Sequence, residues 1–343
     1  MTKTILVTGA SGFLASYIIS DLLSHDYTVH GTIRSLSKST EILSRYPDQN
    51  DRLKLFQVKD LVTGEGLEEA MKGCHAVLHT ASPYQLSVQD PMKDFIDPAV
   101  KGTLTVLETA KNLGIKRVAI TSSFAAVTNF SKGGPWRDYT YTSDDWNPTT
   151  LEEATEPGKI GAFVYSASKT LAERAAHNFG SQHPEMVISA LNPPMIYSPP
   201  LQSITSREAI NTSSEAIYAL INGEEGRECP GNRLPLFCAT EDVAEAHRRV
   251  IECQEDQVRG KRFLLCGGSF TWEDAIRHLS TARPELKSRL PKLPETDRDA
   301  GKPIAKLDCT PAKEVLGMGG FREWKDTLER TVDRLVEVEK GFK

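Results

Sequence analysis

The chain has 343 residues, 39% of them hydrophobic and 25% charged, with a net charge of −5. That length suits one large domain with an appended lobe, or two domains, and the composition is that of a globular protein. Acids and bases are interspersed, which argues against a nucleic-acid or membrane surface, and no apolar run approaches the roughly 20 residues of a membrane span.

The first residues lack the apolar stretch and cleavage site of a secretory signal. The six cysteines are scattered and form no CxxC pair, so reduced thiols in a cytoplasmic protein are expected. His75 and His79 fall on one side of a strand-like run, but no acid or cysteine is spaced to complete a metal site, and no metal is expected.

In chain order, residues 5–7 read as a buried strand that runs into Gly9-Ala10-Ser11-Gly12-Phe13-Leu14-Ala15. A helical pattern follows at 14–24. A glycine turn between strand and helix is where a dinucleotide pyrophosphate rests, which assigns Gly9, Ala10, Ser11, Gly12, Phe13 and Leu14 to a cofactor. The second strand, 27–33, ends in Arg34, with Lys38 about one turn on and no acid between Tyr27 and Thr40. A carboxylate there would hold a ribose hydroxyl and select NAD. A guanidinium and an ammonium suit a 2′-phosphate instead, so NADPH is expected.

Helical patterns at 38–44, 67–72 and 100–113 alternate with strands at 53–58, 76–79 and 117–121. Such alternation predicts a doubly wound parallel α/β sheet of the Rossmann type. Asp60 and Leu61 follow the third strand, near an adenine edge. Thr80, Ala81 and Ser82 end the fourth, where small residues let a cofactor pass. Thr121-Ser122-Ser123 closes the fifth at the carboxyl edge of the sheet, where ligands bind.

The next helical pattern, 165–179, opens on Tyr165-Ser-Ala-Ser-Lys169. Spacing of four puts the phenol and the ammonium on one face. Tyr165 is then a proton donor, Lys169 lowers its pKa and reaches the cofactor ribose, and Ser123 holds a carbonyl oxygen on which charge builds.

After a strand at 187–192 the rhythm breaks at Pro193, Pro194, Pro199 and Pro200. Helical patterns at 208–222, 240–254, 272–280 and 324–339 follow, with one short strand at 262–265 and a loop at 301–307. We therefore expect a dinucleotide-binding domain over 1–192 that carries the catalytic residues. Residues 193–343 form mainly a smaller mixed substrate lobe, some of whose elements can return to the first domain. Tyr84, Phe124, Phe163 and Tyr197 are the expected substrate-lining side chains, an apolar wall suited to a small-molecule aldehyde or ketone.

These segments resemble the extended short-chain dehydrogenase/reductases. The likeness is strongest to the dihydroflavonol reductase-like branch and its fungal NADPH-dependent methylglyoxal, aldehyde and ketone reductases. It is carried by residues 7–15, 31–35, 78–83 and 121–127, by Trp-Asn-Pro at 146–148, Tyr165 to Lys169, Asn-Pro-Pro at 192–194 and Asp-Val-Ala-Glu-Ala-His at 242–247. The resemblance implies an NADPH-dependent carbonyl reductase giving chiral alcohols, monomeric or homodimeric. It also implies Pro193 and Pro194 beside the nicotinamide and Ser213, or its neighbour Ser214, near the cofactor phosphates. Two other readings stand beside it: an epimerase or dehydratase of the same extended family, and an NADPH-sensing regulator without chemistry.

Overall fold

The computed structural model describes residues 2–49, 51–82 and 89–342. Short apolar runs form β1 (Thr4–Val7), β2 (Thr28–Ile33), β3 (Leu53–Gln57), β4 (Ala76–His79) and β5 (Arg117–Thr121). Between them lie α1 (Phe13–Ser24), α2 (Ser39–Ser44), α3 (Leu67–Met71) and α4 (Asp97–Asn112). Then come β6 (Thr140–Tyr141), α5 (Leu151–Thr155), α6 (Gly161–Gln182), β7 (Val187–Asn192), β8 (Met195–Tyr197) and α7 (Thr212–Ile221). The remainder is β9 (Leu236–Ala239), α8 (Thr240–Glu252), α9 (Glu255–Val258), β10 (Arg262–Leu264), β11 (Gly268–Ser269), α10 (Trp272–Ala282), β12 (Lys306–Leu307), α11 (Thr310–Glu314) and α12 (Trp324–Glu339).

Seven strands make one parallel sheet in the order β10-β7-β5-β4-β1-β2-β3. The order reverses at β1, between β4 and β2. That reversal opens a crevice at the carboxyl edge, the place where doubly wound sheets bind dinucleotides. Every residue of β4 and β7 is buried, as strands covered by helices on both faces must be. One face is closed by α1, α8 and α11, whose Ile18, Leu22, Val243 and Ala312 pack on Ile5, Val7 and Leu78. The other is closed by α3, α4 and α6, with Val106, Leu107 and Phe179 against Val77, Val118 and Ile188.

A second core belongs to the C-terminal lobe, where β8 and β9 meet α7, α10 and α12 through Tyr197, Ile217, Phe237, Ile276 and Leu335. A three-stranded mixed sheet, β11-β9-β8, links it to the main sheet.

The strand near residue 262 returns to the main sheet, where Arg262, Phe263 and Leu264 pair with Ala190, Leu191 and Asn192. Three expectations need correcting. The run 301–307 is not all loop, because Lys306 and Leu307 pair with Thr140 and Tyr141 and Ala305 is buried. The helix expected from 208 begins at Thr212, after a separate 3-10 turn at Arg207–Ala209. The helix expected from Tyr165 begins one turn earlier, at Gly161.

Candidate active site

Five strands end along one line at Val7, Ile33, His79, Thr121 and Asn192, so the residues just beyond them share the carboxyl edge. Gly9 opens the β1 turn at φ +71°, a conformation costly for any residue with a Cβ. A Cβ there would also stand 3.1 Å from that of Ala81. Gly9 N donates to Thr32 Oγ1 at 3.0 Å and Gly12 N to Gly9 O at 2.8 Å, which closes the turn. Gly12 precedes α1 without a side-chain cap, so the helix presents bare N–H groups and its positive end to the crevice.

Arg34 and Lys38 are exposed beyond β2. Neither takes part in an ion pair among the described residues, so both charges remain available to an anion. Asp60 Oδ1 accepts from Val62 N at 2.8 Å, which shapes its own turn beside Leu61. Thr80 and Ala81 are tied down by Thr8, whose Oγ1 accepts from both backbone N–H groups at 3.1 Å. Ser82 Oγ and Ser214 Oγ are shielded and have no hydrogen-bond partner among the described residues. Ser214 lies in the first turn of α7 next to half-buried Ser213. Two orphaned hydroxyls, an uncapped helix start and a glycine turn that no side chain fills fit an extended, polar, anionic group such as a dinucleotide.

Tyr165 and Lys169 sit on α6, the phenol half-buried and the ammonium buried. Lys169 Nζ donates to Thr121 O at 2.7 Å. Burial pushes its pKa from 10.5 down to about 8, and the Glu173 carboxylate opposes that fall. Ser123 precedes the 3-10 turn Phe124–Ala126 and accepts from Ala125 N at 3.1 Å. Its oxygen is therefore the acceptor in that bond, and the hydroxyl hydrogen is left to donate.

Two buried histidines stand behind these groups and are neutral. Burial, helped by the Lys169 charge, takes His79 down to about 3. Its ring nitrogens lie 2.9 Å from Thr8 Oγ1 and 3.3 Å from Thr103 Oγ1. His247, pushed down to about 4 by burial, donates from Nδ1 to Val243 O. Its Nε2 therefore accepts from Thr121 Oγ1 at 2.7 Å. A small polar cavity lies against Lys169, between His79, Thr103, Ser122 and Glu173.

Two expected substrate-lining side chains are core residues instead. Phe124, 1% exposed, packs edge-on against Tyr141 and joins Val127, Leu236, Leu264 and Ala305. Tyr197 is buried against Phe237, Phe270 and Trp272. Both lie in chain segments next to strand ends at the carboxyl edge, but their rings turn into packing supplied from far along the sequence. Phe163 remains half-buried in the first turn of α6, with the Lys159 ammonium 4.9 Å above its ring. Tyr84 lies outside the described residues. Pro193 and Pro194 are buried directly after β7, and Pro193 O accepts from Phe124 N at 2.8 Å.

Sequence reading did not single out Glu173, which stands four residues beyond Lys169 and is 1% exposed. The same helical spacing that joins Tyr165 to Lys169 could have found it.

A model of the NAD dependent epimerase/dehydratase family matches residues 5–266. The "putative uncharacterized oxidoreductase C513.07" of Schizosaccharomyces pombe is 36% identical over 99% of each chain. The ketoreductase azaE of Aspergillus niger is 32% identical over 98% of each. The crystal structure of yeast methylglyoxal/isovaleraldehyde reductase Gre2 complexed with NADPH superposes with a TM-score of 0.86 at 28% identity, covering 98% of this chain and 99% of that one. Among the described residues no helix is long and apolar enough to cross a membrane.

Proposed function

The chain belongs to the NAD dependent epimerase/dehydratase family, and on that footing we propose that it is an NADPH-dependent reductase of aldehydes or ketones. The observation that carries this reading is the junction of α6 with the end of β5. A buried ammonium, Lys169, is anchored on Thr121 O two residues before Ser123, and Tyr165 lies one turn back on the same helix face. Bound NADPH would supply the hydride. The glycine turn and the start of α1 would hold its pyrophosphate, with Ser213 or Ser214 opposite. Arg34 and Lys38 would meet the 2′-phosphate.

The protein's own part is to manage the carbonyl oxygen. Ser123 donates its hydroxyl hydrogen to that oxygen while Ala125 N fixes the Oγ. Tyr165 passes its phenolic proton to the oxygen as the alkoxide forms. The Lys169 ammonium makes that transfer easier by stabilising the phenolate left behind. Burial of Lys169 excludes water from the charge and so strengthens its effect on Tyr165.

The similarity to a ketoreductase and to an NADPH complex favours reduction over epimerisation. So does the cation at the end of β2, where an NAD-binding site would prefer an acid. The test is NADPH oxidation by the purified protein with a panel of aldehydes and ketones, repeated with Tyr165→Phe. We expect turnover by the wild type and a loss of about 100- to 10,000-fold in the variant, with NADPH affinity retained. Near-normal turnover by Tyr165→Phe would remove the phenol from the mechanism.

A further inference from the structure

Tyr165, Lys169 and Glu173 follow one another at single-turn spacing on α6 and therefore share a face. Glu173 is 1% exposed, and both of its oxygens are occupied. Oε2 accepts from Ser122 Oγ and from Asn192 Nδ2, the latter at 2.8 Å. Oε1 accepts from Arg262 Nε. Asn192 Nδ2 also donates to Ser123 O at 3.2 Å. Arg262, itself 5% exposed, reaches the carbonyls of Ala126, Ser143 and Asp145 with its other nitrogens and lies 3.7 Å over the Trp146 ring. One carboxylate thus joins the ends of β5 and β7, the edge strand β10 and the turn after Ser123.

An ion pair this deep is weak evidence of a stabilising role, because apolar side chains of similar volume hold elements together as well. What they would not supply is a negative charge one turn from Lys169 and a hydrogen-bonded seat for the Ser123 backbone. We propose that Glu173 is a positioning residue for carbonyl reduction: through Asn192 and Ser122 it sets where Ser123 stands, and its charge keeps Lys169 an ammonium.

The surrounding groups leave Glu173 that task. On its own helix Lys169 has Tyr165 and Glu173. From β4 it faces His79, which is neutral, and the Thr121 that anchors it is backed by neutral His247 from α8. Arg262 from β10 and His177, 3.9 Å away on α6, contact the carboxylate of Glu173.

The experiment is steady-state kinetics and NADPH binding on full-length Glu173→Gln, with Arg248→Met as the comparison. Arg248 is 6% exposed and pairs with Asp21 and Glu252, whose side chains are 20% and 33% exposed, so that change breaks a partly buried ion pair between α1 and α8, away from the site. We expect kcat of Glu173→Gln to fall by about 10- to 100-fold, the scale set by displacing a reacting group by an ångström. NADPH affinity should stay within about twofold. The alkaline limb of the kcat profile should move to lower pH by about one unit, as it does when a neighbouring opposite charge is removed. Arg248→Met should lower the melting temperature without moving kcat or the limb.

A Glu173→Gln profile that matches Arg248→Met would overturn the proposal and leave Glu173 a structural residue. Should Glu173→Gln not fold, Asn192→Ala decides, since it keeps the Glu173–Arg262 ion pair and removes the amide that links Glu173 to Ser123 O. A fall of tenfold or more in kcat with NADPH affinity kept supports the proposal, and wild-type kcat overturns it. The proposal rests on the reductase reading. A wild type that reduces no carbonyl compound defeats that reading and this one together, whereas an active wild type with an equally active Asn192→Ala defeats this one alone.

Discussion

Replacing Lys169 by methionine should abolish turnover yet stabilise the cofactor-free protein at neutral pH. The ammonium is 7% exposed, and burial takes its pKa from 10.5 to about 8 despite the support of Glu173. Each pH unit of such a change is worth about 1.4 kcal/mol, so holding the charge costs the fold about 3 kcal/mol. Methionine fills a similar volume without charge but gives up the charge-assisted bond to Thr121 O, worth about 1.5–3 kcal/mol. The net gain expected is about 1 kcal/mol.

The sign follows from linkage. Below pH 8 both the folded and unfolded chains carry the proton and the folded chain bears the full cost. Between pH 8 and 10.5 the folded chain gives up its proton first, so wild-type stability rises with pH relative to the variant. Urea unfolding of wild type and Lys169→Met between pH 6 and 10 measures the gap. It should be widest at pH 6 to 7.5 and close toward pH 10. A variant less stable than wild type at neutral pH, or a gap that does not change with pH, would refute the account of Lys169 as a charge held against its solvation.

Three further outcomes follow from where the other side chains stand. Arg34→Ala should raise KM for NADPH by tenfold or more, since a charge-assisted contact is worth about 1.5–3 kcal/mol, and leave KM for NADH nearly unchanged; equal effects on both cofactors would dismiss the 2′-phosphate assignment. Phe124→Ala should cost about 3–5 kcal/mol of stability, as truncation of a core aromatic does, read by urea unfolding. Phe163→Ala should instead change product chirality across a set of aryl ketones with stability nearly kept, and unaltered chirality and substrate range would exclude Phe163 from the pocket wall.

The parts legible in the sequence are those whose physics is local. Residues 5–15 combine an apolar run, a glycine that must take positive φ and a helix start, and each requirement acts within a few neighbours. The cation at the end of β2 and the Tyr165–Lys169 spacing are local in the same way: one follows from where a strand stops, the other from the pitch of a helix. Alternating strands and helices also dictated a parallel sheet, because consecutive parallel strands need a crossover.

Contacts between distant segments followed another logic. Arg262 is a charged residue in a three-residue strand, and no local pattern distinguishes the edge of the main sheet from a strand of the lobe. Its place beside β7 is decided by pairing with Ala190 and by the carboxylate of Glu173, 89 residues away. Phe124 adjoins Ser123 in sequence and therefore reads as a pocket wall. It is core because Tyr141, Leu236, Leu264 and Ala305, brought together from four other segments, close around it. The sequence by itself therefore determined the parallel sheet through β7, the glycine turn and the phenol–ammonium pair, all set by backbone geometry over a few residues. Only the tertiary structure decided which aromatic rings are core and which carboxylate stands behind the lysine, since burial depends on what the rest of the chain places nearby.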